Sequence, residues 1–161
     1  MTVRLEPVRE PDKQILANLL QLYCHDFSPI RGDELTAHGT FVYRFLDMHF
    51  GEGGRDAYFV RHRAQLAGFA MSRTLAGGAR EVAEFFVVQA HRRRGVGRRA
   101  AQLLFARHPG RWEVAGDDAN RPAQAFWPAV VAACAAAPPD SCVEGPPLRA
   151  VSQTVIRFAT G

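Results

Sequence analysis

Apolar positions along the chain follow two periods in turn, and the switches between them mark its elements. Val3 and Leu5 alternate with Arg4 and Glu6, which predicts a strand over residues 2–7. Ile15, Leu16, Leu19, Leu20, Leu22 and Tyr23 then fall at helical spacing, behind Pro11 and Asp12 as first-turn residues. Pro29 and Gly32 are expected to end that helix, and residues 33–39 read as a polar loop. Residues 41–50 are dense in aromatics (Phe41, Tyr43, Phe45, Phe50). They predict a short helix or an irregular segment packed on a sheet, as core or as the wall of a ligand pocket.

Two strands, 57–61 and 66–73, flank a tight turn at Arg63-Ala64-Gln65, and Gly77-Gly78 marks another turn. Residues 81–88 form a buried strand that runs into the basic turn Arg92-Arg93-Arg94-Gly95-Val96-Gly97. Val96, Ala100, Leu103, Leu104 and Arg107 trace one face of a helix, stopped by His108-Pro109-Gly110. A short strand over 111–115 follows. Asn120 is an N-cap for a helix over 123–137, with a kink or early break expected at Pro128. Pro138-Pro139 ends that helix, Gly145-Pro146-Pro147 turns the chain, and 148–158 closes as a strand. The order is β–α–(α)–β–β–β–α–β–α–β.

With 161 residues, 47% hydrophobic and 22% charged, the chain suits one globular domain with a proper core. No apolar run approaches the ~20 residues of a membrane span, so no membrane partner is expected. Residues 1–9 lack signal-peptide character. Cys24, Cys134 and Cys142 have no metal-ligand spacing. Their odd number suits a reducing cytoplasm, and no metal is expected. The net charge of +4 is local: residues 89–112 hold seven arginines and no Asp or Glu, leaving −3 on the rest. Nucleic-acid binding by those arginines is disfavoured, because no aromatic residues are interleaved with them.

What the basic turn does is suggested by its place between a strand and a helix. Small residues let backbone N–H groups approach an anion, and the helix dipole adds about half a positive charge there. The turn also matches the pattern Gln/Arg-x-x-Gly-x-Gly/Ala. A second pattern, Asn-x-x-Ala-x-x-Phe-aromatic, stands as Asn120-Arg121-Pro122-Ala123-Gln124-Ala125-Phe126-Trp127. Both motifs, their spacing and the element order resemble the GNAT superfamily of acetyl-CoA-dependent N-acetyltransferases.

The resemblance implies an α/β (α+β) fold in one domain over 1–161. Its mixed central sheet would have six to seven strands flanked by helices, with a V-shaped splay between two central strands holding the cofactor. The acetyl-CoA-binding core would be about 81–131. Phe86, Val87 and Val88 would run beside the pantetheine arm. The loop residues Arg92, Arg93, Arg94, Gly95, Val96, Gly97 and Arg98 would hold the pyrophosphate. Asn120, Ala123 and Phe126 would contact the rest of the cofactor. A homodimer is compatible with the resemblance.

Acetyl transfer to an amine needs a polarised thioester carbonyl, here near a backbone N–H at Val87, and a base for the ammonium proton. Glu84, three residues before Val87, is the candidate general base. Glu81 is the fallback and is expected to be more exposed. Many relatives place a tyrosine directly after the motif phenylalanine to protonate the thiolate. Trp127 stands there instead, and an indole N–H donates a hydrogen bond without supplying a proton. Tyr23 and Tyr43 are substitutes that the sequence does not place. The acceptor would be the amine of a small molecule or a protein. Asp26, Asp33, Glu34, Asp47 and Glu52 are candidate acids for it, and Tyr23, Phe27, Phe41 and Tyr43 candidate walls. The alternative is a CoA-binding sensor of the same fold with reduced catalysis.

Overall fold

In a computed structural model, which describes residues 2–161, the strands pair into one seven-stranded sheet. Met1, at the head of the stretch read for signal-peptide character, lies outside the described residues. The strands are β1 (Val3–Pro7), β2 (Arg55–His62), β3 (Gln65–Thr74), β4 (Arg80–Val87), β5 (Gly110–Asp117), β6 (Asp140–Glu144) and β7 (Gln153–Thr160). Their order is β1-β2-β3-β4-β5-β7-β6. Only β4 and β5 run parallel. The helices are α1 (Lys13–Arg31), α2 (Met48–Gly51), α3 (Val96–Arg107) and α4 (Arg121–Cys134).

Helices cover both faces, α1 through four of the six positions read as its apolar stripe. On one face Leu16, Leu19, Leu20 and Tyr23 of α1 pack on Phe59, Phe69, Met71 and Phe86. On the other, Ala100, Leu104 and Phe105 of α3 join Trp127, Val130 and Val131 of α4 against β5 and β7. Every residue in these two sets is less than a tenth exposed. Burying side chains of this size contributes roughly 1.5–3 kcal/mol each, so the two cores hold the sheet from both sides.

Pro29 does not end its helix, and the early break allowed for at Pro128 does not occur. Pro29 lies inside α1, and the helix ends at Gly32, in left-handed conformation at φ 73°. The missing Pro29 N–H leaves the His25 carbonyl without its helical donor, and the Ser28 hydroxyl donates to it instead at 2.8 Å. Pro128 also lies inside its helix, facing solvent, and α4 continues to Cys134. An interior proline costs about 3 kcal/mol, and burial of Trp127, Val130 and Val131 on the opposite face outweighs it. The last strand also differs from expectation. Residues 145–152 form a loop, and β6, unforeseen, pairs along the outer edge of β7. β6 is almost wholly exposed, so it carries no alternating apolar signal. The aromatic segment 41–50 is mostly irregular and holds only the start of α2.

The expected splay is present. The β4–β5 ladder consists of Arg80 opposite Trp112 and Glu81 opposite Glu113. Beyond those pairs the two strands part, and β4 from residue 82 to Val87 has no neighbour on its β5 side.

On its other side β4 lies close to β3. A Cβ at Gly68 would sit 1.9 Å from the Phe86 carbonyl oxygen, so only glycine allows this approach. Gly68→Ala forces the strands apart and should lower stability by about 1–3 kcal/mol, read as a fall in Tm of about 2–4 °C per kcal/mol. Gly77→Ala, with open space around it and no positive φ, is the control. Equal melting of the two variants would show that β3 and β4 can part freely.

Candidate active site

The basic turn forms a cradle of backbone donors. After a short 3₁₀ turn over Gln89–His91, Arg93 and Gly95 both adopt left-handed conformations, at φ 57° and 75°. Such a conformation costs a residue with a side chain about 1–2 kcal/mol, and glycine nothing, which explains Gly95. Gly95 caps α3 without a side-chain bond. The N–H groups of Val96, Gly97 and Arg98 therefore have no acceptor within the helix. Arg99 is the first residue to bond back, to the Gly95 carbonyl at 3.0 Å. Free N–H groups at a helix start suit a diphosphate. Gly97 also brings the two motifs together: a Cβ there would lie 3.4 Å from Cε2 of Phe126 and 3.7 Å from Cγ2 of Val87.

Arg92, though exposed, is tied down. Its Nε donates to the Val87 carbonyl at 2.6 Å, its Nη2 bonds Asp26 of α1, and its guanidinium lies 5.4 Å over the Phe86 ring. Arg93, Arg94 and Arg98 are exposed. Phe86 belongs to the core beneath α1. Val88 donates its N–H to Ala67 at 2.9 Å, and its carbonyl accepts from His91 at 2.9 Å. In an antiparallel ladder such groups alternate, so the backbone groups of Val87 and Phe85 point away from β3 into the splay.

At the second motif, Asn120 caps α4. Its Oδ1 accepts from the Ala123 N–H at 3.3 Å. Gln124 ties the start of α4 to the end of β5, donating to the carbonyls of Gly116 at 2.8 Å and Asp117 at 3.1 Å. Trp127 is buried against Phe85 and Phe126, with ring centroids 5.3 and 4.8 Å apart.

Glu84 borders a cavity of about 190 Å³ whose walls include Tyr23, Phe27, Arg31 and Tyr43. A second hollow of about 140 Å³ adjoins it through Tyr43, Phe45 and Glu84. Burial raises the Glu84 carboxyl above the ordinary range, while the Tyr23 and Tyr43 phenols and the Arg31 guanidinium oppose the rise. Burial and the Glu84 charge in turn push both phenols upward, so both stay protonated at neutral pH. The structure thus brings to Glu84 the two tyrosines that the sequence left unplaced.

Glu81 is not exposed, contrary to expectation. It is 6% accessible and bonded to Arg73 at 2.6 Å and Arg149 at 3.2 Å. Both of its carboxylate oxygens are thus committed, Oε2 to Arg73 and Oε1 to Arg149. Of the candidate acceptor acids, Asp26 pairs with Arg92, Asp47 with Lys13 at 2.6 Å and Glu52 with Arg55 at 3.0 Å. Only Asp33 borders the cavity. Of the candidate walls, Tyr23, Phe27 and Tyr43 line it. Phe41 does not: its backbone is held by Gln21, with bonds of 2.7 and 2.9 Å. Phe45, part of the aromatic segment read as possible pocket wall, also lines it, whereas Arg31, Arg44 and Val42 carried no signal in the sequence.

The sequence model of the Acetyltransferase (GNAT) family matches residues 16–129, and the chain belongs to that family. Solved structures agree on the fold. An acetyltransferase from Thermus thermophilus is 19% identical, with a TM-score of 0.70 over 99% of this chain and 97% of that one. Arabidopsis thaliana NAA60, solved with a bisubstrate analogue, is 13% identical, with a TM-score of 0.62 over 98% of each chain. A chimera of spermidine N-acetyltransferase SpeG from Vibrio cholerae and hSSAT is 11% identical, with a TM-score of 0.62 over 99% of this chain and 96% of that one. No curated protein sequence matches the chain.

The raised Glu84 carboxyl makes a stability prediction. A carboxyl whose folded value lies above its unfolded value, about 4.3, favours folding most when protonated. Stability is therefore greatest below that value and is lost as pH rises through the folded one. Glu84→Gln removes this loss. The variant should melt above the parent protein at pH 7–8, and the difference should shrink towards pH 4. A gain of equal size at both ends, or none, would deny the shift.

Proposed function

We propose that the protein transfers the acetyl group of acetyl-CoA to a primary amine of a small molecule or protein, with Glu84 as general base. One observation carries the reading. The β4–β5 ladder stops after Glu81 and Glu113, leaving an open strand edge between the Glu84 carboxyl and the cradle at Val96–Arg98. Glu84 lies three positions before Val87 on the strand, a span of about 10 Å. An extended cofactor arm that follows this edge from the cradle ends beside Glu84.

Bound acetyl-CoA supplies an activated acyl group as its thioester. The N–H groups of Val96, Gly97 and Arg98 hold the pyrophosphate, and the Val87 N–H polarises the acyl carbonyl. Glu84 takes the ammonium proton, and Tyr23 and Tyr43 fix the orientation of its carboxyl. The amine nitrogen then bonds to the acyl carbon as the bond to sulfur breaks, and the nitrogen releases its second proton to solvent. Trp127 is packed as core and gives no proton. An ordinary thiol has a pKa of about 8.5, so its thiolate leaves without a dedicated acid and is protonated by solvent. The three cysteines are unpaired and no helix among the described residues is long and apolar enough to cross a membrane, features that support a cytoplasmic setting.

Calorimetric titration and a thiol-release assay across an amine panel test the reading. Acetyl-CoA should bind, and Glu84→Gln should lower kcat by about 10²–10⁴-fold while changing acetyl-CoA affinity by less than about twofold. For the parent protein, kcat/KM should rise with pH as Glu84 loses its proton, above the ordinary carboxylate range. Salt-dependent binding of a DNA or RNA oligomer without acetyl-CoA binding would sink the proposal. Acetyl-CoA binding with no thiol release from any amine would favour a sensor.

A further inference from the structure

The charges around the Glu84 cavity point to a particular kind of amine. Two guanidiniums, Arg31 and Arg44, line it, and Asp33 is its only carboxylate besides Glu84. Arg31 is already engaged. It donates to the buried Asp117 through Nε at 2.9 Å and Nη2 at 3.4 Å, and lies 4.5 Å over the Phe27 ring. Arg44 is exposed and makes no ion pair among the described residues.

The same rim holds apolar side chains that nothing covers. Val42 is 65% exposed and Phe45 47% exposed, both lining the cavity beside Arg44. A free guanidinium next to uncovered apolar surface is matched by a ligand with an anionic group and an apolar group. A polyamine fits less well: Arg31 is neutralised by Asp117, but Arg44 would repel a second ammonium, and Asp33 is the one exposed carboxylate of the lining to receive it.

We propose that the acceptor is a primary amine bearing a carboxylate and a large apolar group, as in an aromatic or branched α-amino acid. Its amine meets Glu84, its carboxylate forms a forked pair with Arg44, and its side chain covers Val42 and Phe45. The inference rests on the acetyltransferase reading above and narrows its substrate class.

Thiol release is measured with acetyl-CoA and L-phenylalanine, L-leucine, their carboxamides and spermidine. The free amino acids should exceed their amides in kcat/KM by about tenfold or more, as expected for loss of one charged pair. Arg44→Gln should raise KM for L-phenylalanine by a similar factor, leave kcat within about twofold and erase the preference for acid over amide. Arg44→Lys should restore part of it. Spermidine outperforming L-phenylalanine, or an acid-to-amide ratio unchanged in Arg44→Gln, would overturn the inference. Acetyl-CoA titration of each variant separates the two levels. If acetyl-CoA binds and spermidine alone is acetylated, only the substrate class fails. If acetyl-CoA does not bind the parent protein, the acetyltransferase reading fails and the inference with it.

Discussion

The opening between β4 and β5 depends on a pair of like charges. Glu81 and Glu113 face each other in the last rung of the parallel ladder, and both are buried. Two adjacent carboxylates away from water would repel strongly. They are held by guanidiniums from elsewhere. Arg149 donates to Glu113 at 2.5 Å, Glu144 at 3.1 Å and Glu81 at 3.2 Å. Arg157 joins Glu113 at 3.0 Å and Glu144 at 2.6 Å, and Arg73 joins Glu81. These pairs draw Glu144 well below the usual carboxylate range, to about 2. The network fastens the two strands at one end only. Above it, β4 keeps its partner β3, while β5 keeps its partner β7. The splay is therefore built into the strand pairing of the sheet.

That clamp was invisible in the sequence for a simple reason. Its members are spread from Arg73 to Arg157, and no local spacing links them. Glu81 looked like a carboxylate near a turn, when it is in fact the inner partner of Arg73 and Arg149. Gly68 was missed in the same way, since its need for a bare Cα comes from the Phe86 carbonyl on the neighbouring strand. The basic turn was legible because its chemistry is local: a strand, two glycines and a helix start lie within a few residues of one another. Both proline errors came from treating a local preference as decisive. In α1 a serine hydroxyl replaced the lost donor, and in α4 a buried face overcame it.

The acceptor side was the least legible. Its carboxylates were read as receivers of a cationic substrate, and most are bound to arginine or lysine partners. Asp33 and Arg44, which both line the cavity, make no ion pair among the described residues, so the rim offers a cation as well as a carboxylate. The aromatic segment was correctly seen as dense, but its division between pocket and core depended on a backbone path with little regular structure. Gln21 fixes that path by bonding both backbone groups of Phe41, which leaves Tyr43 free to reach Glu84.

α1 ties these parts together. Near its end it is anchored to both sides of the opening. Asp26 bonds Arg92, which also holds the Val87 carbonyl at the tip of β4, and Arg31 bonds Asp117 at the tip of β5. The same turns of the helix carry Tyr23, which belongs to the core and lines the cavity that Glu84 borders. One helix therefore fixes the width of the opening, the position of the candidate base and one wall of the acceptor cavity. Arg92 is engaged in this bracing, whereas Arg93, Arg94 and Arg98 make no ion pair among the described residues. A buried brace below and a helical brace above let the strand edge between them stay open without loss of the fold.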